Sequence, residues 1–370
     1  MSMSFKLIAS GLMTSITLAV GVAAQQPRIE NGTVNTQPAG TPFPASFRAL
    51  ISSQPGIAWL GYTVPVLNRE HTMCCFDSGG TSARAATGCC GACRLENSSG
   101  TIFSTGHAPV TTASGTVKLE GSDRMVVLFR VAEQKIDKVR VFSEDCQLDA
   151  GGRPVQWIEN VRPADSIALL ESVTGLDGDL KGRIADGAIT AIALHQDAAA
   201  DASLDRLVAP AQPEAVRKKV TFWLGHSRGR RGFEALRRVM RDDPSIEVRK
   251  SAIFGLSQSS VPETFDVLVN IARADSEPRL RSEALFWLAQ KAGQKVSATI
   301  AERIDEDPDT EVKKKAVFAL SQLPTDEGVP LLIKVARTNS NTEVRKQAMF
   351  WLGQSRDPRA VDFFSEVLRK

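Results

Sequence analysis

The chain has 370 residues, of which 42% are hydrophobic and 24% charged, with a formal net charge of +3. That length allows two domains, and the composition excludes both a disordered chain and one embedded in a membrane. So small a charge lacks the strongly basic face that nucleic-acid binding needs, so no nucleic-acid partner is expected.

Read from its start, the chain opens on a targeting segment. Lys6 precedes an apolar run from Leu7 to Val22, which ends on the small-residue site Val22-Ala23-Ala24. This order predicts a secretory signal over residues 1–24, cleaved before Gln25. The run is short for a membrane span, and Ser10, Thr14, Ser15 and Thr17 dilute it, so no membrane association is expected after cleavage. The mature protein is expected to be exported, to the periplasm or beyond. Residues 25–44 read as a linker.

Residues 45–175 read as a smaller, β-rich, cysteine-containing domain. Ile57 to Val64 is an apolar run rich in strand formers, and Met125–Val131 and Ile136–Phe142 flank Ala132-Glu133-Gln134-Lys135 as a hairpin. Val155–Ile158 reads as a further strand and Pro163–Val173 as a helix. Between the first strand and the hairpin, residues 74–115 are rich in Gly, Ser, Thr and Cys, a loop too long to stand untied. Cys74, Cys75, Cys89, Cys90, Cys93 and Cys146 form an even set. In an exported chain they are expected to make three disulfides, with Cys146 bridging the end of the hairpin to the Cys-rich loop.

Two chemical alternatives attach to residues 74–93. Cys90-Gly91-Ala92-Cys93 has the spacing of a redox dithiol, although no helix start in an α/β unit accompanies it. His71 and the five nearby cysteines are metal-ligand types, although adjacent Cys pairs suit one ion poorly. Asp77-Ser78-Gly79-Gly80 resembles the nucleophile loop of trypsin-like proteases, but Phe76 and Thr81 break the motif and no His and Asp segments precede it. The four histidines, His71, His107, His195 and His226, share no motif, and there is no phosphate-cradling loop. No catalytic, cofactor-binding or metal-binding residue is therefore assigned, and no cofactor is expected.

From residue 179 the sequence repeats. Val216-Arg217, Val248-Arg249, Leu280-Arg281, Val312-Lys313 and Val344-Arg345 fall 32 residues apart, as do Phe222, Phe254, Phe286, Phe318 and Phe350. Within the last unit Val344, Ala348, Trp351 and Leu352 form one helical stripe. Gly353 and Pro358 then mark a turn, and a second helix runs from Pro358 to Leu368 with Val361, Phe364, Val367 and Leu368 predicted inward. Ile184, Ala188 and Ile192 fit the same register, so a degenerate first unit covers about 179–210, diverged as a cap against another domain would be. Helices of this length cannot bury their apolar faces alone and must stack. The prediction for 179–370 is an α-helical solenoid of about six units.

The run Val344-Arg345-Lys346-Gln347-Ala348-Met349-Phe350-Trp351-Leu352-Gly353-Gln354, with Asp357-Pro358-Arg359-Ala360-Val361 after it, resembles the HEAT-like repeats named after phycobilin lyases. The resemblance covers about half the chain. It implies an interaction scaffold with a protein or peptide partner, since only a few such arrays act as lyases or lyase subunits. Bilin attachment inside the cell does not suit an exported chain.

Two ladders run through the repeats. Asp243, Asp275, Asp307 and Asn339 each lie six residues before Arg249, Arg281, Lys313 and Arg345. A cation in the first turn of a helix opposes the helix dipole, so its recurrence calls for a carboxylate in the turn of an adjacent repeat; an anion-binding strip is the functional alternative. The second ladder lies on another face of the first helices and carries Phe222, Phe254, Phe286, Phe318 and Phe350 with Gln258, Gln290, Gln322 and Gln354. It predicts either packing between repeats or a stripe that holds an extended peptide. The expected function is a non-enzymatic protein-binding scaffold, with redox or metal chemistry in residues 74–93 as the alternative.

Overall fold

The computed structural model describes residues 28–67, 71–74, 93–96, 102–105, 110–112, 115–117, 122–144, 146–176, 183–292 and 296–369. The signal segment 1–24 lies outside them, as do Cys75, Cys89 and Cys90, His107 and the Asp77-Ser78-Gly79-Gly80 loop. Cys74 and Cys93 lie in short strands, but their side chains and that of His71 are likewise outside the description.

Twelve strands occupy the described N-terminal part: β1 (Ile29–Glu30), β2 (Val34–Pro38), β3 (Ala58–Pro65), β4 (His71–Cys74), β5 (Cys93–Arg94), β6 (Ile102–Thr105), β7 (Val110–Thr112), β8 (Gly115–Val117), β9 (Arg124–Ala132), β10 (Lys135–Ser143), β11 (Leu148–Asp149) and β12 (Val155–Glu159). Five of them make the main sheet in the order β10-β9-β3-β12-β2. The pairs β10–β9 and β9–β3 are antiparallel, whereas β3, β12 and β2 run parallel. Side chains alternate across this sheet as strand geometry requires. Leu60, Tyr62, Val64, Val127, Phe129 and Val131 face the helices. Trp59, Val126, Leu128, Phe142, Val155 and Trp157 build a second, smaller core on the other face. Cys146 sits in that smaller core, buried and disulfide-bonded.

Two segments depart from the sequence reading. The stretch 25–44 is not a linker over its described part, because β1 pairs with β11 and β2 closes the main sheet against β12. Its polar composition is that of an edge strand, with Asn35, Thr36 and Pro38 largely exposed. The β-rich stretch also holds a helix, α1 (Phe43–Ser52), whose Phe43, Phe47 and Ile51 recur every fourth residue on one buried face.

The remaining helices follow in chain order: α2 (Pro163–Val173), α3 (Arg183–Leu194), α4 (Ala199–Leu207), α5 (Glu214–Ser227), α6 (Gly229–Asp242), α7 (Ile246–Gln258), α8 (Thr264–Ala274), α9 (Pro278–Ala292), α10 (Ser297–Glu306), α11 (Thr310–Ser321), α12 (Thr325–Thr338), α13 (Thr342–Gln354) and α14 (Pro358–Leu368). From α3 onward they form six hairpins, and α3–α4 is the degenerate unit. Val248, Leu280, Val312 and Val344 are fully buried, as are Ala252, Ala284, Ala316 and Ala348. The inward set predicted for α14 needs correction. Ala360 and Phe363 are its buried residues, Phe364 is half-buried, and Val361, Val367 and Leu368 are exposed. Among the described residues its neighbours are α12 and α13, and the stripe that faces them is the covered one.

Successive first helices (α5, α7, α9, α11, α13) pack along one another, whereas the second helices meet only sparsely. The row of first helices is therefore the inside of the curve. At its tightest point α5 and α7 touch backbone to backbone, because a Cβ on Gly225 would lie 1.8 Å from the Gly255 carbonyl oxygen.

Sheet and solenoid share one continuous core. α3 lies directly on β10, where a Cβ on Gly187 would meet the Val139 carbonyl at 2.2 Å. A buried polar chain crosses the same junction. Tyr62 Oη on β3 and Ser166 Oγ on α2 are 2.8 Å apart, and His195 Nε2 is 3.0 Å from that Oγ. His195 Nδ1 lies 2.6 Å from the Ala191 carbonyl. Burial holds the imidazole down at about 4 from an ordinary 6.5; the Ala191 carbonyl and Asp197 oppose this shift, and Arg228 adds to it.

The unfolded chain thus binds this proton more readily than the folded one. The stabilisation is complete above pH 6.5 and is lost as pH falls from about 6.5 to about 4, a loss of roughly 3 kcal/mol. Urea unfolding between pH 7.5 and 4 is expected to show that slope, and His195→Gln to flatten it. A slope unchanged in the variant would remove His195 as its source.

Candidate functional site

The cation ladder is a set of buried ties between neighbouring repeats. Arg281 donates from Nε and Nη2 to the two oxygens of Asp307, both at 2.7 Å, while its Nη1 donates to the Asp275 carbonyl at 2.9 Å. Arg217 grips Asp243 in the same bidentate way, at 2.9 and 3.2 Å. Arg249 reaches Asp275 at 2.9 Å. Each carboxylate also accepts a backbone N–H two residues on, from Ser245, Glu277 and Asp309. Every aspartate thus closes its own turn while holding an arginine of the repeat before.

Burial alone would raise the Asp307 carboxyl, but the bonds from Arg281 and the Asp309 amide outweigh it and hold it below the usual carboxylate range. The ladder loosens after this rung. Lys313 donates to the Asp305 carbonyl at 2.7 Å rather than to Asn339, and Arg345 donates to the Asn339 and Ser340 carbonyls. Arg217, Arg281, Asp243 and Asp307 are buried, which leaves these ion pairs little room to serve as an anion strip.

The second ladder lies on the inside of the curve. Phe222, Phe254, Phe286 and Phe318 are half-buried, Phe350 is 54% exposed, and Gln258, Gln290, Gln322 and Gln354 are exposed. The rings form one line. Phe222 stacks on Phe254 with centroids 5.7 Å apart, and Phe286 on Phe318 at 6.0 Å. Between these pairs an indole intervenes: Trp287 lies 4.6 Å from Phe254 and 4.9 Å from Phe286. Trp351 lies 4.9 Å from Phe318 and 5.0 Å from Phe350. His226 extends the line by stacking on Phe222 at 5.3 Å. Packing and exposure thus coexist, since each ring touches its neighbours in the stack and keeps an edge toward solvent. Beside the rings Gln290 donates to Gln322 at 3.4 Å, and Gln258 and Gln322 donate to Ser257 and Ser321.

Of the three tryptophans the sequence reading placed only Trp351, and put it on the core stripe, whereas it is half-buried between Phe318 and Phe350; the signal for the full set was there. Trp223, Trp287 and Trp351 are 64 residues apart, with Gly255 and Ala319 at the same position of the units between. Where that position is small, adjacent Phe rings stack directly; where it is Trp, the indole inserts between them. The array repeats every two units.

A cleft of about 600 Å3 opens between the last two units, lined by Leu323, Val329, Leu332, Trp351, Gln354 and Pro358 among others. Among the described residues no cluster of His, Cys, Asp and Glu is arranged to hold a metal ion. Ser166 and His195, although hydrogen-bonded, are fully buried with no carboxylate on the imidazole, so they hold the junction together and offer nothing to a substrate.

Residues 200–289 and 297–370 match the family model for HEAT repeats. The C-terminal half of this chain is a HEAT-repeat array, preceded by a smaller β domain. Among solved structures, the chain is similar to the CpcE–CpcF complex of phycocyanin lyase from Nostoc sp., at 22% identity over 43% of this chain and 100% of that one, with a TM-score of 0.33. It is similar to YibA of Escherichia coli at 27% identity over 46% of this chain and 64% of that one, with a TM-score of 0.32. Human deoxyhypusine hydroxylase is similar at 19% identity over 55% and 77% of the two chains, with a TM-score of 0.25. No curated protein matches the chain.

The buried ladder carries a stability cost when half of a rung is removed. Asp307→Ala strands the Arg281 guanidinium and is expected to lower the unfolding free energy by about 3–5 kcal/mol in urea titrations. Arg281→Met combined with Asp307→Leu is expected to recover most of that loss. A single variant within 1 kcal/mol of the parent would reject the structural role.

Proposed function

We propose that this chain, whose C-terminal half is a stack of HEAT repeats, is an exported scaffold that holds an extended segment of a protein partner along the inner face of the stack. The observation that carries this reading is the half-exposed line of rings from Phe222 to Phe350, bordered by four exposed glutamines. Aromatic side chains give large contact area at low entropic cost and dominate binding energy where they are partly desolvated. Amides beside them can donate to and accept from the backbone of an extended chain. HEAT repeats as a class support protein interaction, and the stack is stabilised by packing and buried ion pairs that leave this stripe free for a partner.

Export is part of the proposal. It rests on the apolar run after Lys6, with its small-residue end at Ala24, and on the even cysteine set. The disulfide at Cys146 fits an oxidising compartment, with its partner among the cysteines of residues 74–93.

Two measurements bear on these statements. The partner is sought by photo-crosslinking in the source cell envelope from a benzoylphenylalanine placed at Gln290, with the same group at Asn270 on the outer helix α8 as control. Phe254→Ala and Phe318→Ala are expected to weaken capture about tenfold or more while lowering stability by no more than about 1–2 kcal/mol, since each ring is only half-buried. Capture that survives both variants would reject the stripe. A stability loss of 3–5 kcal/mol, the cost of a fully buried ring, would assign both rings to packing.

Thiol titration of the denatured, unreduced mature protein is expected to find no free cysteine. Two or more free thiols would favour redox or metal chemistry in the 74–93 loop.

A further inference from the structure

The two-unit period allows one part of the inner face to be compared with another part of the same molecule. In the earlier copy Glu283 Oε1 accepts a hydrogen bond from Trp287 Nε1 at 2.8 Å. Lys250 Nζ stands 3.8 Å from Glu283 and 3.6 Å from Glu247. A carboxylate there satisfies an indole N–H and a lysine at once. Sixty-four residues on, the counterparts are Gln347 for Glu283, Trp351 for Trp287, Lys314 for Lys250, Glu311 for Glu247 and Lys315 for Ser251.

The replacement leaves a defined deficit. Trp351 Nε1 is buried and has no acceptor. Lys314 is held at 2.8 Å by Glu311. Lys315 is exposed, and neither it nor Gln347 makes a hydrogen bond or ion pair among the described residues. Glu311, Lys314, Lys315, Phe318, Gln347 and Trp351 enclose a cavity of about 390 Å3. Among the six lining residues the later copy has lost one negative charge and gained one positive charge relative to the earlier one, while at its rim Glu343, beside Lys314, stands where the earlier copy has Arg279. Its unsatisfied groups, an indole N–H and a lysine, are the ones a carboxylate would serve.

We propose that this cavity between α11 and α13 is a specificity pocket for an acidic side chain, Asp or Glu, of the bound segment. The incoming carboxylate takes the place that Glu283 occupies in the earlier copy, with Trp351 Nε1–H and Lys315 as donors and the Phe318 ring as an apolar wall for the methylene stem. The proposal rests on the reading of the inner face as a peptide-binding stripe and adds the chemistry of one of its subsites. It also assigns the earlier copy a closed state, since Glu283 already fills the equivalent position.

The test uses the full mature chain labelled with 15N at tryptophan, the Trp351 indole signal being assigned with Trp351→Phe. Titration with N-acetylglutamate methylamide is expected to move the Trp351 indole signal and leave that of Trp287 in place. N-acetylglutamine methylamide is expected to move neither. Gln347→Glu, which copies the earlier unit, is expected to abolish the response, and Glu283→Gln to create one at Trp287. With tripeptides, acetyl-Phe-Glu-Phe-amide is expected to bind about tenfold more tightly than acetyl-Phe-Gln-Phe-amide, and Gln347→Glu to erase the difference. A Trp351 signal indifferent to the glutamate probe, or a preference that persists in Gln347→Glu, overturns the pocket. So does a response only to acetyl-Phe-Gln-Phe with a free terminal carboxylate, which would assign the site to chain ends. Equal binding of both amides, lost in Phe286→Ala, would sink the pocket and keep the stripe. A glutamate response at Trp351 with tripeptide binding unaffected by Phe286→Ala, whose ring stacks on Phe318, would keep the pocket and sink the stripe.

Discussion

A hairpin of two helices, each nine to fifteen residues long, has more apolar surface than it can cover by folding on itself, and every other feature of this molecule follows from that shortage. Each unit must lend one face to the unit before and one to the unit after. The first unit has no repeat before it, and the main sheet takes that place, with α3 laid on β10 and the core running unbroken from Phe43 to Phe363. The sheet therefore completes the solenoid, and the solenoid covers one face of the sheet. The Tyr62–Ser166–His195 chain sits at the seam, where buried polar groups are tolerated only because each finds a partner.

The aspartate–arginine rungs set the register of that stacking. Hydrophobic contact between helices is permissive about sliding, whereas a bidentate guanidinium–carboxylate pair is satisfied in one geometry. Arg217 and Arg281 are tied in this way, Arg249 by a single bond to Asp275, Lys313 to a backbone carbonyl, and Arg345 to two backbone carbonyls and the Thr342 hydroxyl. The weakening toward the last units matches the substitution of Asn339 for the aspartate of the earlier rungs. Geometric definition is therefore lowest in the last two units, the ones farthest from the sheet.

Much of this was legible in the sequence because a repeat multiplies its own signal. The buried valines, alanines and leucines recur at a fixed step, and five copies of one pattern leave no doubt about which residues share a face. Partial burial of the Phe line could not be read, since exposure depends on how closely neighbouring backbones approach, and that is set by single glycines such as Gly225 and Gly255. The N-terminal domain has no repetition to lean on. Its edge strand β2 is short and polar, so it reads as linker until its partner β12 is known, and α1 is hidden by a short helical stripe beside prolines. The orphaned Trp351 nitrogen depends on how neighbouring helices pack, although the exchange of Gln347 for Glu283 stands in the sequence at a step of 64 residues.

That longer step has a consequence for how such an array changes length. Its interfaces come in two kinds, one in which rings meet ring to ring and one in which an indole separates them, and the kinds alternate from Phe222 to Phe350. Removing or adding a single hairpin inside the array would put a tryptophan-bearing helix next to another, or a small-residue helix next to another. Removing or adding two restores the sequence of interfaces without repacking. The piece that can be inserted or excised within the array without changing the kind of any interface is therefore a doublet of hairpins.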